Sequence, residues 1–229
     1  MHNLAIIPAR GGSKRIPRKN IKLFLGKPII AYSIETALQS RLFDEVMVST
    51  DDEEIAEVAL QFGAKVPFLR SKETSSDYAT TLDVVNEVLT RYQNELKSVF
   101  EYVCCIYPTA PLINGTTLQE GLNLLINNQF DSVLPAVPFS YPVWRGLERT
   151  DTGQTKMIWP EYLNSRSQDL KKVYHDAGQW YWIKSNNIKE SLFTENTGAI
   201  ILDQTVVQDI DTLSDWKLAE MKYKLMHEM

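Results

Sequence analysis

The sequence predicts an α/β fold with a mostly parallel sheet and helices on both of its faces. Between residues 4 and 137, short apolar runs alternate with stretches whose apolar residues recur at helical spacing. This alternation is typical of parallel strands joined by helical crossovers. The run YVCCIY at 102–107 has the continuous apolar character of a strand covered on both faces. With 229 residues, 44% of them hydrophobic, the chain can bury the core of one such domain, spanning 1–229.

Each element follows from periodicity and from glycine or proline at its ends. Acidic residues open the helix predicted after residue 50, where they suit the helix dipole, and Gly63 ends it. Thr212, with Asp215 three residues later, forms a capping pattern at the start of the last helix. The predicted strands span 4–7, 45–50, 64–69, 102–107, 131–137, 178–184 and 199–202, and the predicted helices span 28–39, 51–62, 79–96, 116–127 and 213–226.

Three loops of the predicted sheet should share one cleft. The loops that begin after residues 7, 69 and 107 each follow a strand at its carboxyl end. Ligands of parallel sheets bind beyond that edge. The sequence therefore predicts a ligand site formed by these loops.

The first of these loops is rich in glycine and positive charge. Gly11 and Gly12 allow the backbone N–H groups to approach a ligand closely. The chain carries a formal net charge of −5, yet no acidic residue precedes Glu35, so the basic character is local and indicates an anionic ligand. The spacing matches neither the P-loop nor the dinucleotide pattern, and the alternative is a solvated basic loop. The basic residues are Arg10, Lys14, Arg15, Arg18, Lys19 and Lys22.

Composition argues against several other classes of protein. An acidic chain without a basic, aromatic-rich stripe is not typical of nucleic-acid binding. No apolar run approaches transmembrane length, and the N-terminus lacks a basic segment before a long apolar stretch, so we expect no membrane association and a cytoplasmic location. Cys104 and Cys105 are neighbours in a predicted strand, so their side chains point to opposite faces and should be buried thiols.

The alternation of strands and helices stops at 138–172. This segment contains several prolines and aromatic residues and a turn signal at 151–153, which together predict a hairpin extension that leaves the main body. Tyr141, Trp144 and Trp159 would be exposed there and would indicate a partner surface. The alternative is a lid that packs onto the sheet.

Two carboxylates near the C-terminus are candidates for a metal site. Asp209 and Asp211 are separated by one residue, so an extended backbone places both on one face. Two such oxygens suit a Mg²⁺ ion that keeps several waters and also binds phosphate. The alternative is that one or both cap the last helix.

The string IPARGGSKRIPRKN at 7–20 resembles the signature of the cytidylyltransferases that activate acidic sugars with CTP. The resemblance extends to 48–64, 70–81, 108–112 and 209–211. It implies a Rossmann-like nucleotide-diphospho-sugar transferase fold, a homodimer formed through an extension like 138–172, and Mg²⁺ as cofactor. It also implies that Arg10 and Lys19 contact the CTP phosphates and that Asp209 and Asp211 bind the metal, and these four are the candidate catalytic residues. The other CTP-binding residues that it implies are Ala9, Gly11, Gly12, Ser13, Asn20, Arg70, Ala79 and Thr81.

Two further stretches bear on which nine-carbon acidic sugar is used. Family members specific for KDO carry an acidic metal ligand where this chain has 107–109, and members specific for sialic acid typically have glutamine at Tyr107. The string YHDAGQ at 174–179 resembles that of members that act on pseudaminic acid. Arg166 would meet the sugar carboxylate in a bidentate contact, or else is a surface residue. The predicted sugar-binding residues are Tyr107, Arg166, Tyr174, His175, Asp176 and Gln179.

The implied reaction is attack of a sugar hydroxyl on the α-phosphorus of CTP with loss of pyrophosphate. Such chemistry requires positioning of three phosphates and neutralisation of their charge, but no covalent nucleophile. The sequence leaves open which group deprotonates the hydroxyl. Three alternatives remain: N-acetylneuraminic or legionaminic acid as the sugar, a non-catalytic nucleotide-sugar binding protein, and a uridylyl- or guanylyltransferase, which would lack the surroundings of Arg70.

Overall fold

A seven-stranded sheet forms the centre of the computed structural model, which describes residues 2–187 and 191–228. The strands in chain order are β1 (Asn3–Pro8), β2 (Leu23–Phe24), β3 (Lys27–Pro28), β4 (Glu45–Ser49), β5 (Tyr102–Ile106), β6 (Ser132–Pro138), β7 (Leu147–Arg149), β8 (Thr155–Met157), β9 (Tyr174–Asp176), β10 (Trp180–Lys184) and β11 (Thr197–Ile201). The helices are α1 (Ile29–Ser40), α2 (Glu53–Gln61), α3 (Thr81–Glu95), α4 (Gly115–Asn127) and α5 (Leu213–Met226). Within the described ranges, no helix combines the length and apolarity needed to cross a bilayer.

Most strands of the central sheet run in one direction. Its order is β11-β6-β10-β5-β1-β4, and β9 pairs with β6. β4 and β5 are parallel to β1, and β11 is parallel to β6. β10 runs antiparallel between β5 and β6, and β9 is antiparallel to β6. The prediction of a mostly parallel sheet is therefore confirmed, with β9 and β10 as the exceptions.

Helices cover both faces of the sheet. Ala5 and Ile7 of β1 belong to a buried cluster with residues of α1, α2 and α4, whereas Leu4 and Ile6 belong to a second cluster with residues of α3. The two cysteines follow the same alternation, one in each cluster, and burial raises the pKa of both thiols, that of Cys105 to about 12. These thiols are therefore part of the core.

Helix α5 packs against the glycine-rich loop, β2 and α1, and not against either face of the central sheet. Its Trp216 and Ala219 share a buried cluster with Ile16, Ile210 and residues of β2 and α1. Thr212 and Asp215 form a capping box at its start, as the sequence predicts. This cluster holds the glycine-rich loop beside the segment that carries Asp209 and Asp211.

The predicted strand at 64–69 does not form. Only Lys65 pairs with β4, donating from its N–H to the Val46 carbonyl at 2.8 Å and accepting from the Val48 N–H at 2.9 Å. Pro67 follows and has no N–H with which to continue a ladder. The chain therefore turns away from the sheet edge towards Arg70.

The segment that interrupts the alternation contains a hairpin formed by β7 and β8. None of the residues from 139 to 176, all of which the structure describes, is buried. Tyr141 is 84% exposed, as expected. Trp144 and Trp159 differ from the expectation of exposure, because their rings pack against each other with centroids 5.5 Å apart. The Trp144 indole donates to the Lys171 carbonyl at 2.8 Å, so these aromatic residues order the arm, here defined as 139–173.

Candidate active site

A cleft of about 440 Å³ opens where β1, β4 and β5 end. The loops after 7, 69 and 107 all contribute to it, as the sequence predicts. Helix α3 adds the residues of its first turn. Of the predicted CTP-binding residues, those that line the cleft are Arg10, Ser13, Lys19, Asn20, Arg70, Ala79 and Thr81, and Tyr107 lines it as well.

The glycine-rich loop is held in place by buried polar contacts. The buried Asn20 side chain donates from Nδ2 to the Arg10 carbonyl at 2.9 Å. The Gly11 N–H donates to Asp51 Oδ1 at 3.0 Å, and a Cβ on Gly11 would lie 2.6 Å from Asp52 Oδ2. Only glycine fits this approach without displacing the carboxylate. Gly11 therefore fixes the loop against the start of α2, while Gly12 faces open space.

Arg18 ties the same loop to α2. It has a left-handed backbone (φ 55°) and its guanidinium donates to Asp52 and Glu54. Asp52 is also the N-cap of α2 and accepts from the Ile55 N–H at 3.0 Å. The hydrogen bond from Arg18 lowers the pKa of Asp52, and the same contact raises the pKa of Arg18. The loop is thus supported by an ion pair outside the cleft.

Two cations of the cleft are paired with one exposed carboxylate. Arg10 Nη1 donates to Asp77 Oδ1 at 2.8 Å, and Lys14 donates to the other oxygen of Asp77. The hydrogen bond from Lys14 is the main cause that lowers the pKa of Asp77. These contacts connect the glycine-rich loop with the loop that follows Arg70.

Arg70 is the most deeply placed cation of the cleft. It is 8% exposed, and it donates from Nε to Ser49 Oγ at 3.0 Å and from Nη2 to the Ser49 carbonyl at 2.5 Å. Loss of water on burial lowers its pKa. Nearby, Thr81 Oγ1 and Tyr107 Oη lie 3.2 Å apart. The cleft thus combines cations at its mouth with a fixed guanidinium in its floor.

Asp209 and Asp211 lie on either side of the buried Ile210, next to cations of the cleft. Asp211 Oδ1 pairs with Arg15 Nη2 at 2.7 Å and lies 3.9 Å from Lys19 Nζ, which donates to the Ile210 carbonyl at 2.7 Å. Burial lowers the pKa of Lys19 despite the charges of Asp211 and Asp209. Partial loss of water, and then repulsion by Asp211, raise the pKa of Asp209.

The residues of this acidic pair fit a Mg²⁺ ion in kind. The raised pKa of Asp209 reflects a carboxylate that a further cation would stabilise. The described residues offer no group of three or more acidic, histidine or cysteine side chains arranged to hold a metal. Mg²⁺ commonly uses one or two carboxylates together with water and substrate phosphates, so two carboxylates beside a cleft lined by cations fit this ion.

A second cavity, of about 340 Å³, is lined in part by Asp209. Its walls come from the end of β6, from β9, and from the segment that leads into α5. Lys222 of α5 donates to the carbonyls of Gln204 and Val207 at 2.8 and 2.6 Å, and burial lowers its pKa. The other polar side chains that line this second cavity are Ser140, His175, Asp176, Gln204 and Gln208. The acidic pair is thus connected with both cavities, because Asp209 lines the second one and Asp211 pairs with cations that line the first.

Three of the six predicted sugar-binding residues line a cavity, and three do not. His175 and Asp176 line the second cavity, Tyr107 lines the cleft, and Tyr174 lies half-exposed on β9. Gln179 is 2% exposed and donates from Nε2 to the Val206 carbonyl at 2.8 Å. Arg166 is exposed on the arm, donates from Nε to Asp169 at 3.1 Å, and lines neither cavity. Tyr174, Gln179 and Arg166 therefore line neither cavity.

Several lining residues were not among the predicted site residues. In the cleft they include Lys14, Arg15, Thr80 and Thr109. Lys14 and Arg15 lie inside the string at 7–20, so the concentration of charge there was the available signal. In the second cavity the polar ones are Ser140, Gln204, Gln208 and Lys222, and no local pattern in the sequence distinguishes these four from ordinary surface residues.

Known proteins resemble this chain over its whole length. The family model described as "Cytidylyltransferase" matches residues 4–197. A pseudaminic acid cytidylyltransferase of Campylobacter jejuni is 47% identical over 230 residues, which cover 100% of this chain and 99% of the relative. A CMP-N,N'-diacetyllegionaminic acid synthase of Legionella pneumophila is 35% identical over 239 residues, with 100% and 99% covered.

A solved structure supports the fold independently. The CMP:2-keto-3-deoxy-manno-octonic acid synthetase complexed with CTP superimposes with a TM-score of 0.71 over 100% of both chains, at 19% identity. At that identity the likeness concerns the fold alone, and it agrees with the Rossmann-like nucleotide-diphospho-sugar transferase architecture expected from the sequence. From the family match, the full-length relatives and this fold, the chain belongs to the cytidylyltransferase family and is a nucleotidyltransferase.

Proposed function

We propose that this protein transfers CMP from CTP to the anomeric hydroxyl of pseudaminic acid, giving CMP-pseudaminic acid and pyrophosphate. The observation that carries the proposal is the position of the acidic pair, since Asp211 contacts cations of the cleft while Asp209 lines the second cavity. A reaction between a nucleotide in one cavity and a sugar in the other would take place beside these carboxylates. The choice of sugar rests on the full-length relatives named as pseudaminic acid cytidylyltransferases, at 47% and 46% identity.

The cleft offers the groups that the nucleotide requires. Arg10, Lys14, Arg15 and Lys19 would neutralise the triphosphate, whose charge increases on the leaving pyrophosphate as the bond to the α-phosphorus breaks. Arg70 and residues 79–81 would hold the cytosine and ribose in the floor. Because the groups are already held by hydrogen bonds within the chain, little reorganisation is needed at the moment of reaction.

We propose Mg²⁺ as the cofactor, held by Asp209 and Asp211. When bound, the ion supplies positive charge to phosphate oxygens and a fixed orientation for the reacting groups. Binding can be measured without turnover, because Mg²⁺ should raise the melting temperature of the wild-type protein and should not raise that of Asp209→Asn. Equal shifts in both proteins would remove the metal role of the pair.

We also propose a cytoplasmic homodimer formed through the arm. The arm has no buried residue of its own, and its exposed apolar side chains include Tyr141, Leu147 and Leu163. Several exposed apolar side chains on one extension are typical of an interface. Sedimentation should give a dimer for the wild type and a monomer for Tyr141→Ser combined with Leu163→Ser. A wild-type monomer at micromolar concentration would contradict this proposal.

The substrate is tested by pyrophosphate release from CTP and Mg²⁺ in parallel reactions with pseudaminic, legionaminic and N-acetylneuraminic acids and with KDO. We expect release with pseudaminic acid alone. Release with legionaminic acid instead would keep the reaction and shift the sugar towards that of the Legionella relative. If no pyrophosphate is released with any of the four sugars while the protein still binds CTP, a non-catalytic nucleotide-sugar binding protein would be favoured. Competition by UTP or GTP as strong as that by CTP would point to a different base.

A further inference from the structure

Four buried or half-buried side chains connect the cleft with the second cavity. Thr81 Oγ1 lies 3.2 Å from the hydroxyl of Tyr107, and both residues line the cleft. The ring of Tyr107 packs edge-on against that of Tyr181, with centroids 5.5 Å apart. The hydroxyl of Tyr181 then donates to Asp176 Oδ2, and Asp176 lines the second cavity.

Asp176 is engaged within the chain through both of its oxygens. Oδ2 accepts from Tyr181 of β10, and Oδ1 accepts from the Gly178 N–H at 2.8 Å. Tyr181 is 4% exposed, and burial raises its pKa, so it remains a protonated donor at neutral pH. A carboxylate bonded to a strand and to a turn in this way connects the two mechanically.

The turn that Asp176 holds lies beside the acidic pair. Gly178 has a left-handed backbone (φ 63°), and a Cβ placed on it would lie 3.9 Å from Asp209 Cγ. The loop 176–179 therefore faces the Asp209 carboxylate, which lines the second cavity. A shift of this turn would change the space next to Asp209.

We propose that Tyr181 and Asp176 form a positioning pair that holds loop 176–179 against Asp209 and so shapes the sugar side of the site. In this assignment Asp176 is a positioning residue, and its carboxylate does not serve as a ligand of the sugar. The inference rests on the proposed function, because it takes the second cavity as the sugar site. It differs from the role in sugar binding that the sequence suggests for Asp176.

Tyr181→Phe tests the pair by removing one hydroxyl group. We expect the KM for pseudaminic acid to rise by about tenfold and the KM for CTP to stay within about twofold, because the loss of one buried hydrogen bond loosens only the sugar side. The matched control is Tyr92→Phe. Tyr92 is 2% exposed, donates to Glu45, belongs to the same buried cluster as Tyr181, and lines neither cavity. The control should lower the melting temperature comparably and leave both KM values unchanged.

A double-mutant cycle separates positioning from direct contact. Asp176→Asn keeps an acceptor for the Gly178 N–H and loses the charged acceptor for Tyr181, so its sugar KM should rise as in Tyr181→Phe. The double variant should be no worse than either single variant, since both act through one bond. If the sugar KM rises only in Asp176→Asn, Asp176 is a direct ligand of the sugar. If the increases in the sugar KM of the two single variants multiply in the double variant, the two residues act independently and the pairing is wrong.

The wild-type reaction run alongside distinguishes the two proposals. If wild type turns over pseudaminic acid but Tyr181→Phe behaves like Tyr92→Phe, the positioning pair is wrong and the proposed function stands. If wild type turns over none of the four sugars, the proposed function is wrong, and the positioning pair falls with it.

Discussion

The cleft and the second cavity differ in charge and in construction, although the acidic pair connects them, since Asp211 pairs with cations of the cleft and Asp209 lines the second cavity. The cleft is lined by five cations, Arg10, Lys14, Arg15, Lys19 and Arg70. The second cavity has one lysine, which is already bonded to two carbonyls, together with neutral and acidic side chains. The first suits a polyphosphate, and the second suits a ligand with hydroxyl and amide groups. The difference indicates that each substrate can be affected separately by mutation, except at the acidic pair.

The largest effect should come from substitution of Asp211, which belongs to the proposed metal site. Asp211→Ala should lower kcat by at least about 100-fold, because it removes a ligand of the proposed Mg²⁺, whose positive charge would offset that of the phosphates. Stability should hardly change, since the partner Arg15 is exposed and such pairs contribute little. Asp203→Ala, an exposed carboxylate upstream in the same segment, is the control and should retain turnover. Near-normal turnover of Asp211→Ala at saturating Mg²⁺ would contradict the metal role.

A change in the cleft floor should affect the nucleotide only. Arg70→Met should raise the KM for CTP by roughly tenfold or more, because it removes a buried donor with charge-assisted hydrogen bonds. The KM for the sugar should stay unchanged. Ser49→Ala is the matched control, since it removes one partner of Arg70 while keeping the guanidinium. If Ser49→Ala raises the KM for CTP equally, the effect comes from loosened packing and not from the lost cation.

A substitution at the rim of the second cavity should raise the KM for the sugar and leave the KM for CTP unchanged. The His175 ring is exposed, with its Nδ1 2.9 Å from the Asp176 carbonyl, and it is free to meet a polar substituent of the sugar. His175→Ala should raise the sugar KM about fivefold, the value of one hydrogen bond, with the KM for CTP unchanged. His227→Ala, at the distant end of α5, should change neither. Equal increases for both substrates would indicate that His175 is structural.

The same difference explains which parts of the molecule the sequence could reveal. The cleft is built from loops that each follow a strand, so the order of elements places them together. The second cavity combines Val137, His175 and Lys222, which come from β6, an antiparallel strand and the last helix. Such contacts between distant segments leave no periodic pattern, and the reversed direction of β9 and β10 could not be read from alternation. Their residues were therefore missed or, as with Gln179, are buried and line neither cavity.

Two smaller errors have equally local causes. The strand expected at 64–69 failed because apolar character outweighed Pro67 in the prediction, although proline cannot donate to a ladder. The tryptophans of the arm were expected to be exposed because the segment leaves the sheet. In the structure Trp144 and Trp159 shield each other, a contact that depends on the hairpin bringing them together. Periodicity describes one segment at a time, so it does not report contacts of this kind.

The smallest effect should come from Asp52, which supports the glycine-rich loop. Its contribution to the free energy of unfolding should depend on pH. Asp52 has a lowered pKa because it accepts from Arg18, so its stabilisation is present above its ordinary pKa of 3.8 and is lost as the pH falls through the lower folded value. Asp52→Asn keeps an N-cap for α2 but loses the ion pair. Its free energy of unfolding should fall by about 1 kcal/mol at pH 7.

Melting temperatures between pH 7 and about pH 2.5 check this expectation. The difference between wild type and Asp52→Asn should shrink as the pH falls from the ordinary pKa of 3.8 towards the lower folded pKa, at which the carboxyl of the folded wild type is protonated as well. Glu54→Gln, which removes the more exposed partner of Arg18, should give a smaller loss at pH 7. A constant difference at every pH would show that the amide disturbs the cap. Since Asp52 supports only the cleft, any change in KM should fall on CTP and leave the sugar unaffected.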